Sequence, residues 1–312
     1  MKVLICGMGS IGLRHARILS GILGHEVYAL RSTQRPLESG LNVKEIFTWS
    51  DVETIRPGAA FIANPTNLHI ETALRCASLG MHLFIEKPLS HTTDDVEALE
   101  SLCLAKGLTC YVAYCLRFHS VVEKLREVLQ DKRIYHARVV CSSFLPSWRP
   151  GQDFRKSYSV STGDGGGVLL DLSHEVDYTS YLFGGIAEMT GRYGRVSDLT
   201  IDAEDFADVL IKTHNSTYVN LHLNFNSLIE ERTIIVDFEG GYAKGDLVRN
   251  TLGVRFHEET KAYEYSVDRD VYLMEQSRYF FDNLGNPLIM NGIGEAKALL
   301  SQILDFKKHG KV

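Results

Sequence analysis

The stretch that most constrains this chain is its first thirty-five residues. Val3-Leu-Ile-Cys6 is an apolar run short enough for a buried parallel strand, and Gly7-Met-Gly9-Ser10-Ile11-Gly12 follows it directly. Ile11, Leu13, Ala16, Ile18 and Leu19 then give an apolar helical face ending near Gly21, before a second apolar run, Glu26-Val-Tyr-Ala-Leu30. Strand, glycine turn, helix and strand make a β-α-β unit. Gly7 permits the tight turn, Gly9 lets a ligand approach the backbone, and Gly12 lets the helix pack on the strand. The amides of Ser10 and Ile11 open the helix, whose dipole favours negative charge, so a pyrophosphate is the expected ligand.

The end of the second strand bears on which dinucleotide is bound. An NAD site carries Asp or Glu about 20 residues past the glycines, for the ribose 2′-hydroxyl. This chain has Arg31-Ser32-Thr33-Gln34-Arg35 there, and Glu26 lies at the opposite end of the strand. Two guanidinium groups and two hydroxyls suit a 2′-phosphate, so NADP(H) is expected in preference to NAD(H).

With 312 residues, 45% of them apolar and 23% charged, the chain has room for two domains and an ordinary globular core. A net charge of −6 and no basic stripe argue against a nucleic-acid partner. No apolar run approaches membrane-span length, and Met1 leads into a strand without a charged leader, so a cytoplasmic protein with no membrane partner is expected. Cys6, Cys76, Cys103, Cys110, Cys115 and Cys141 are scattered without metal-ligand spacing, which reads as buried thiols and no metal.

Strand and helix continue to alternate after residue 40. The loop Asn64-Pro65-Thr66-Asn67-Leu68-His69 follows an apolar strand over 59–63, and Glu86-Lys87-Pro88 follows another over 82–85. Both loops leave the carboxyl ends of strands, the edge that faces the ligand in an open α/β sheet. Asn64, Pro65, Thr66, His69, Glu86 and Lys87 are therefore expected beside the cofactor. The alternation ends after a strand over 109–114, which predicts a dinucleotide domain over 1–118 and a second domain over 119–312. The second half has a helix over 120–129 and then a succession of strands over 135–142, 206–213, 218–225, 233–238 and 253–257 that no longer alternates regularly with helices. Gly240-Gly241 signals a hairpin, and helices are expected over 272–283 and 294–308.

Within this half, Gly165-Gly-Gly-Val-Leu-Leu-Asp171-Leu-Ser-His174-Glu-Val-Asp177 passes from a glycine run into a helix. The three-residue spacing predicts Asp171, His174 and Asp177 side by side on one helical face. Capping plus one satisfied internal hydrogen bond would account for such a face by itself. Beside a dinucleotide site it acquires a second meaning: a dehydrogenase needs a group to take the hydroxyl proton and another to orient that base. Lys87, His174 and Asp171 are of the required types.

The N-terminal glycine motif, Glu86-Lys87-Pro88, Tyr114-Cys-Leu-Arg-Phe-His119 and the GGG…D…H…D stretch, in this order, resemble the Gfo/Idh/MocA oxidoreductase family over essentially the whole chain. The resemblance implies a Rossmann domain followed by an α+β domain with a large open, mostly antiparallel sheet that commonly forms dimer or tetramer contacts. It implies reversible oxidation of a sugar or polyol hydroxyl, with Lys87 bonded to the reacting oxygen, His174 as acid/base, and Asp171 as its orienting partner or a substrate ligand. It also implies that Arg117, Trp148, Arg149, Arg155 and Tyr158 line the substrate side. There are two departures from the family pattern: three residues rather than four separate the Asp from the His, and Cys115 stands where the family usually has Asn.

Loop 147–158, rich in aromatics and cations, suits an anionic sugar. With Asp171-Leu-Ser-His-Glu-Val-Asp177 it is similar to members linked to bacterial surface-polysaccharide and sialic-acid-like sugar pathways. Two other readings stay open: redox-assisted epimerisation, elimination or glycoside cleavage on the same fold, and a non-catalytic NADP-binding regulator. Retention of both Lys87 and His174 argues against the latter.

Overall fold

The computed structural model describes residues 1–33, 40–266 and 268–311. The chain divides into two compact units, Met1–Tyr114 with Arg269–Leu300, and Cys115–Asp268 with Ser301–Val312.

The first unit is built on β1 (Lys2–Cys6), β2 (Glu26–Leu30), β3 (Val43–Ile46), β4 (Ala59–Ile62), β5 (His82–Ile85) and β6 (Cys110–Val112), in the order β3-β2-β1-β4-β5-β6. Every neighbouring pair is parallel. Strands buried on both faces need apolar residues at successive positions rather than at alternate ones, and β4 is buried at all four residues. The helices are α1 (Ser10–Arg17), α2 (Trp49–Ile55), α3 (His69–Ser78) and α4 (Val96–Lys106). This is the Rossmann order, with the reversal of strand succession between β1 and β4.

The second unit carries an eight-stranded sheet, β14-β13-β12-β11-β7-β10-β9-β8, in which only β7 and β10 run parallel. Its strands are β7 (Ile134–Phe144), β8 (Ile186–Gly194), β9 (Phe206–Thr213), β10 (Tyr218–Asn224), β11 (Asn226–Phe238), β12 (Gly241–Asp246), β13 (Thr251–Phe256) and β14 (Glu259–Glu264). Along β9, buried and exposed residues alternate, so the sheet has one covered face and one open face. The helices are α5 (Ser120–Leu129), α6 (Val168–Asp171) and α7 (Ser173–Phe183). Among them α5 lies against β12 and β13, and α7 against β7 and β10. The hairpin at Gly240 is present, with the left-handed backbone that favours glycine there. Strands β8, β12 and β14 had no clear signal: their glycines and charged residues interrupt the apolar alternation, and β8 and β14 are the sheet's edges.

His119 closes the N-terminus of α5. Its Nδ1 accepts from the Val121 amide at 3.2 Å and its Nε2 faces the Asn250 Oδ1 at 3.0 Å, an arrangement that holds it neutral. Burial, partly offset by the Asn250 hydrogen bond, lowers its pKa from 6.5 to about 4. Since the unfolded chain binds this proton more readily, the stabilisation is complete above pH 6.5 and is lost as pH falls through 4. Unfolding curves should show a loss of about 3 kcal/mol from this group across that window, and His119→Gln should flatten the slope there.

The compact units do not follow a single cut through the chain: α8 (Arg269–Asp282) and the first part of α9 (Ile293–His309) pack with the first unit, whose opening segment ends at Tyr114. The reason is aromatic packing. Phe280 is fully buried, edge-on to Phe61 at 5.7 Å and to Phe84 at 5.6 Å. The Tyr111 hydroxyl meets the buried Gln276 Oε1 at 3.4 Å, and Lys297 pairs with Glu100 at 2.7 Å. Phe280→Ala should therefore destabilise the first unit by about 3–5 kcal/mol in urea titrations. An effect confined to the second unit would contradict this assignment.

Candidate functional site

In the first unit the carboxyl edge of the sheet brings the glycine motif and two later loops together. Gly7 has φ +101°, and a Cβ there would lie 2.4 Å from the Asn64 amide nitrogen, so β1 and the loop after β4 touch only because Gly7 has no side chain. A Cβ on Gly12 would come 2.0 Å from the Gly7 carbonyl, which fixes how closely α1 can approach the turn. Above Gly9 nothing lies within 4 Å of the Cβ position. The N-terminus of α1, opening at Ser10 and Ile11, has no side-chain cap, so its first amides are available to a ligand.

At the end of β2, the mostly buried Arg31 guanidinium is ion-paired with Glu45 on β3. Ser32 and Thr33 are exposed, and Arg35 lies outside the described residues. After β4, Asn64 donates to Thr72 Oγ1 at 2.9 Å, Pro65 is exposed and Thr66 is buried. His69, expected beside the cofactor, is 1% exposed, with Nδ1 3.0 Å from the Pro88 carbonyl and Nε2 3.0 Å from the Asn64 carbonyl. It braces the two cofactor-side loops against each other. Burial lowers its pKa, and as a neutral ring it can donate to only one of those carbonyls.

Lys87 follows β5, is half-buried, and precedes a cis peptide to Pro88. Its neighbour Glu86 pairs with His15 of α1 at 2.7 Å. Burial pushes the Glu86 carboxyl up, but the His15 hydrogen bond and nearby charge, Lys87 included, outweigh this and leave it below the usual value. His15 is fully buried and edge-on to Phe61 and Phe84. The sequence reading missed it, although a histidine among the apolar positions of α1 was the available signal.

In the second unit the expected continuous helix is broken. α6 ends at Asp171 and α7 begins at Ser173, with Leu172 between them at φ −95°, ψ 30°. Asp171 and His174 therefore lie on successive helices rather than within one, and Asp171 Oδ1 accepts from the Tyr158 hydroxyl at 2.8 Å. His174 is half-exposed in a turn whose neighbours are buried, and its Nε2 lies 3.9 Å from Cys115 Sγ. Cys115 thus adjoins the histidine.

Two buried ion pairs hold α7. Asp177 accepts from Arg117 Nε at 3.0 Å and Nη2 at 2.7 Å, and the Arg117 guanidinium stacks 4.6 Å over Tyr181. Glu175 accepts from Arg232 Nε of β11 at 2.8 Å. In the same cluster, burial pushes the Cys141 thiol up to about 12. Arg117, expected toward substrate, commits two of its donors to this clamp. Loop residues Trp148 and Arg149 are half-buried, whereas Arg155 is exposed and chelates Asp153 at 2.8 and 3.0 Å. All six cysteines are buried.

The family profile described as "Oxidoreductase family, NAD-binding Rossmann fold" matches residues 1–114, and the Gfo/Idh/MocA C-terminal domain profile matches 122–244. The chain belongs to the Gfo/Idh/MocA oxidoreductase family. Myo-inositol 2-dehydrogenase of Thermotoga maritima is 24% identical over 91% of this chain and 76% of its own length. A 2,7-anhydro-N-acetylneuraminate hydratase of Mediterraneibacter gnavus is 24% identical over 85% and 73%. Levoglucosan dehydrogenase in complex with NADH superposes with TM-score 0.86 at 16% identity, covering 100% of this chain and 98% of that one.

The residues present fit the dinucleotide of such an oxidoreductase. The open space over Gly9 and the uncapped start of α1 form a cradle that any side chain at position 9 would fill. Among the described residues no helix is long and apolar enough to cross a membrane. Gly12→Ala, which drives a methyl group against the Gly7 carbonyl, should weaken dinucleotide binding about tenfold or more in a fluorescence titration.

Proposed function

We propose that this family member exchanges a hydride between NADP(H) and the CH–OH carbon of a sugar or sugar derivative. The observation that carries the reading is the shared edge of the first sheet. The glycine turn after β1 and Lys87 after β5 leave the same carboxyl ends of parallel strands, so an amine follows a strand at the edge that carries the glycine turn. When bound, the nicotinamide supplies the hydride acceptor or donor. Lys87 donates a hydrogen bond to the reacting hydroxyl oxygen and stabilises its changing charge. His174 takes the hydroxyl proton in oxidation and returns it in reduction. Asp171, held by the Tyr158 hydroxyl, orders the segment leading to His174. The sugar or polyol class draws support from the relative named myo-inositol 2-dehydrogenase.

The preference for NADP(H) rests on the absence of a carboxylate from Arg31-Ser32-Thr33 at the end of β2. The Arg31 pairing with Glu45 opposes it, because the guanidinium must share its donors between a carboxylate and a phosphate. We further infer a homodimer or homotetramer formed through the open face of the second sheet, where Leu210 and Tyr218 are exposed. Sedimentation of the purified protein tests this.

Lys87→Ala and His174→Ala should each lower turnover by about 10²–10⁴-fold while leaving NADPH affinity nearly unchanged. Titration should give a lower dissociation constant for NADPH than for NADH, and the opposite order removes the NADP(H) assignment. Turnover without net change in NADPH absorbance would replace net oxidation by redox-assisted epimerisation or elimination.

A further inference from the structure

The loop between β7 and α6 lines a partly open pocket of about 320 Å³ wholly within the second unit. Trp148 and Phe154 supply aromatic surface, Arg149 and Lys156 supply cations, and Asp153 is the carboxylate in the lining. The tryptophan is fixed before any ligand arrives: its indole N–H donates to Ser143 Oγ at 3.0 Å, and its ring stands edge-on to Phe225 at 5.0 Å. An aromatic face immobilised in advance costs little entropy when a sugar ring stacks on it.

The charges are unbalanced. Arg155 takes both oxygens of Asp153, at 2.8 and 3.0 Å, and so supplies the counterion for that carboxylate. Arg149 donates to the neutral Ser157 Oγ at 3.4 Å, and neither Arg149 nor Lys156 has a carboxylate ion-pair partner within 4.0 Å among the described residues. Two lining cations against one lining carboxylate, which Arg155 already pairs from outside the lining, leave an excess of positive charge around one concavity, in a chain of net charge −6. A cluster of like charges beside an apolar wall is unfavourable until an anion enters it. The volume lies at the lower end of ligand pockets and suits one sugar ring bearing one acidic group.

We propose that this cavity is an anion subsite for an acidic monosaccharide, with the ring against Trp148 and its carboxylate or phosphate monoester between Arg149 and Lys156. The inference rests on the reading of the protein as a sugar oxidoreductase and names the substrate class within it. Tyr158, one residue beyond the lining residue Ser157, donates to Asp171, so the pocket loop is tied directly to the segment that carries His174. Arg155, one of the substrate ligands expected from sequence, is here a positioning residue that neutralises Asp153.

The chain has two tryptophans, so Trp49→Phe leaves Trp148 as its sole indole reporter. The full-length variant is titrated with glucuronate, glucose 6-phosphate and glucose while Trp148 emission is followed. At least one of the two anions should give a saturable change at about tenfold lower concentration than glucose, and which anion responds separates a carboxylate site from a phosphate site. Arg149→Gln or the exposed Lys156→Gln, added to this variant, should weaken the anion response about tenfold and leave NADPH binding unchanged. Lys156→Gln keeps the test decisive if the arginine variant fails to fold. Equal affinity for glucose, no saturable response to either anion, or an unchanged response in the folded substitution variants overturns the subsite. An anion response with no hydride transfer to or from any sugar leaves the subsite standing and overturns the oxidoreductase reading. Hydride transfer with neutral sugars alone, unaffected by these substitutions, does the reverse.

Discussion

The second unit depends on the two arginine–carboxylate pairs that clamp α7. Asp177 and Glu175 are almost completely buried, and each would carry a penalty of several kcal/mol if it stood alone as a charge. Arg117, from the 3-10 turn after Tyr114, meets one, and Arg232, from the sheet, meets the other. Pairs of this kind add little net stability compared with an apolar isostere, but breaking one is expensive, so they select a single rotation and depth for the helix. His174 lies next to Glu175 and three residues before Asp177. Its half-exposed position is a consequence of where its buried neighbours are anchored.

A similar division of labour holds in the first unit. Gly7 and Gly12 set the distances among the turn, α1 and the loop after β4, while His69 and the His15–Glu86 pair join that turn to the two loops carrying Asn64 and Lys87. The side chains proposed to meet a ligand are therefore held in loops that other side chains brace. Both bracing histidines are buried, and one chemical group serves in each case because a ring nitrogen can link elements while the ring packs against aromatic or aliphatic surface.

The parallel sheet and the glycine turn were legible in the sequence because a strand buried on both faces must be written as a continuous apolar run, and a close backbone approach must be written as glycine. Lys87 and His174 enter as candidates through the family resemblance, not through periodicity. The relation of Asp171 to His174 was not legible. Spacing by three implies a shared face only within one helix, and the break at Leu172 leaves no mark in a run of helix-compatible residues. Arg31 is read as a ligand from its charge and place, and Arg117 and Arg155 from the resemblance; in each case the sequence announces a cation without announcing its partner. Their partners, Asp177, Asp153 and Glu45, lie from 2 to 60 residues away. Periodicity within one element cannot register such pairings.

The return of α8 to the first sheet gives the chain an unusual division into parts. The polypeptide leaves the first unit after Tyr114, re-enters it at Arg269 and leaves again after Leu300. In topological terms most of the second unit is an insertion into the first. A fragment ending at residue 268 would therefore lack Phe280, which closes the aromatic cluster around Phe61 and Phe84. Exchanging the inserted unit between relatives, as a way to change what such an oxidoreductase accepts, requires seams at both ends of the insert. The last helix also has to be chosen to match its two hosts, since its first half belongs to one and its second half to the other.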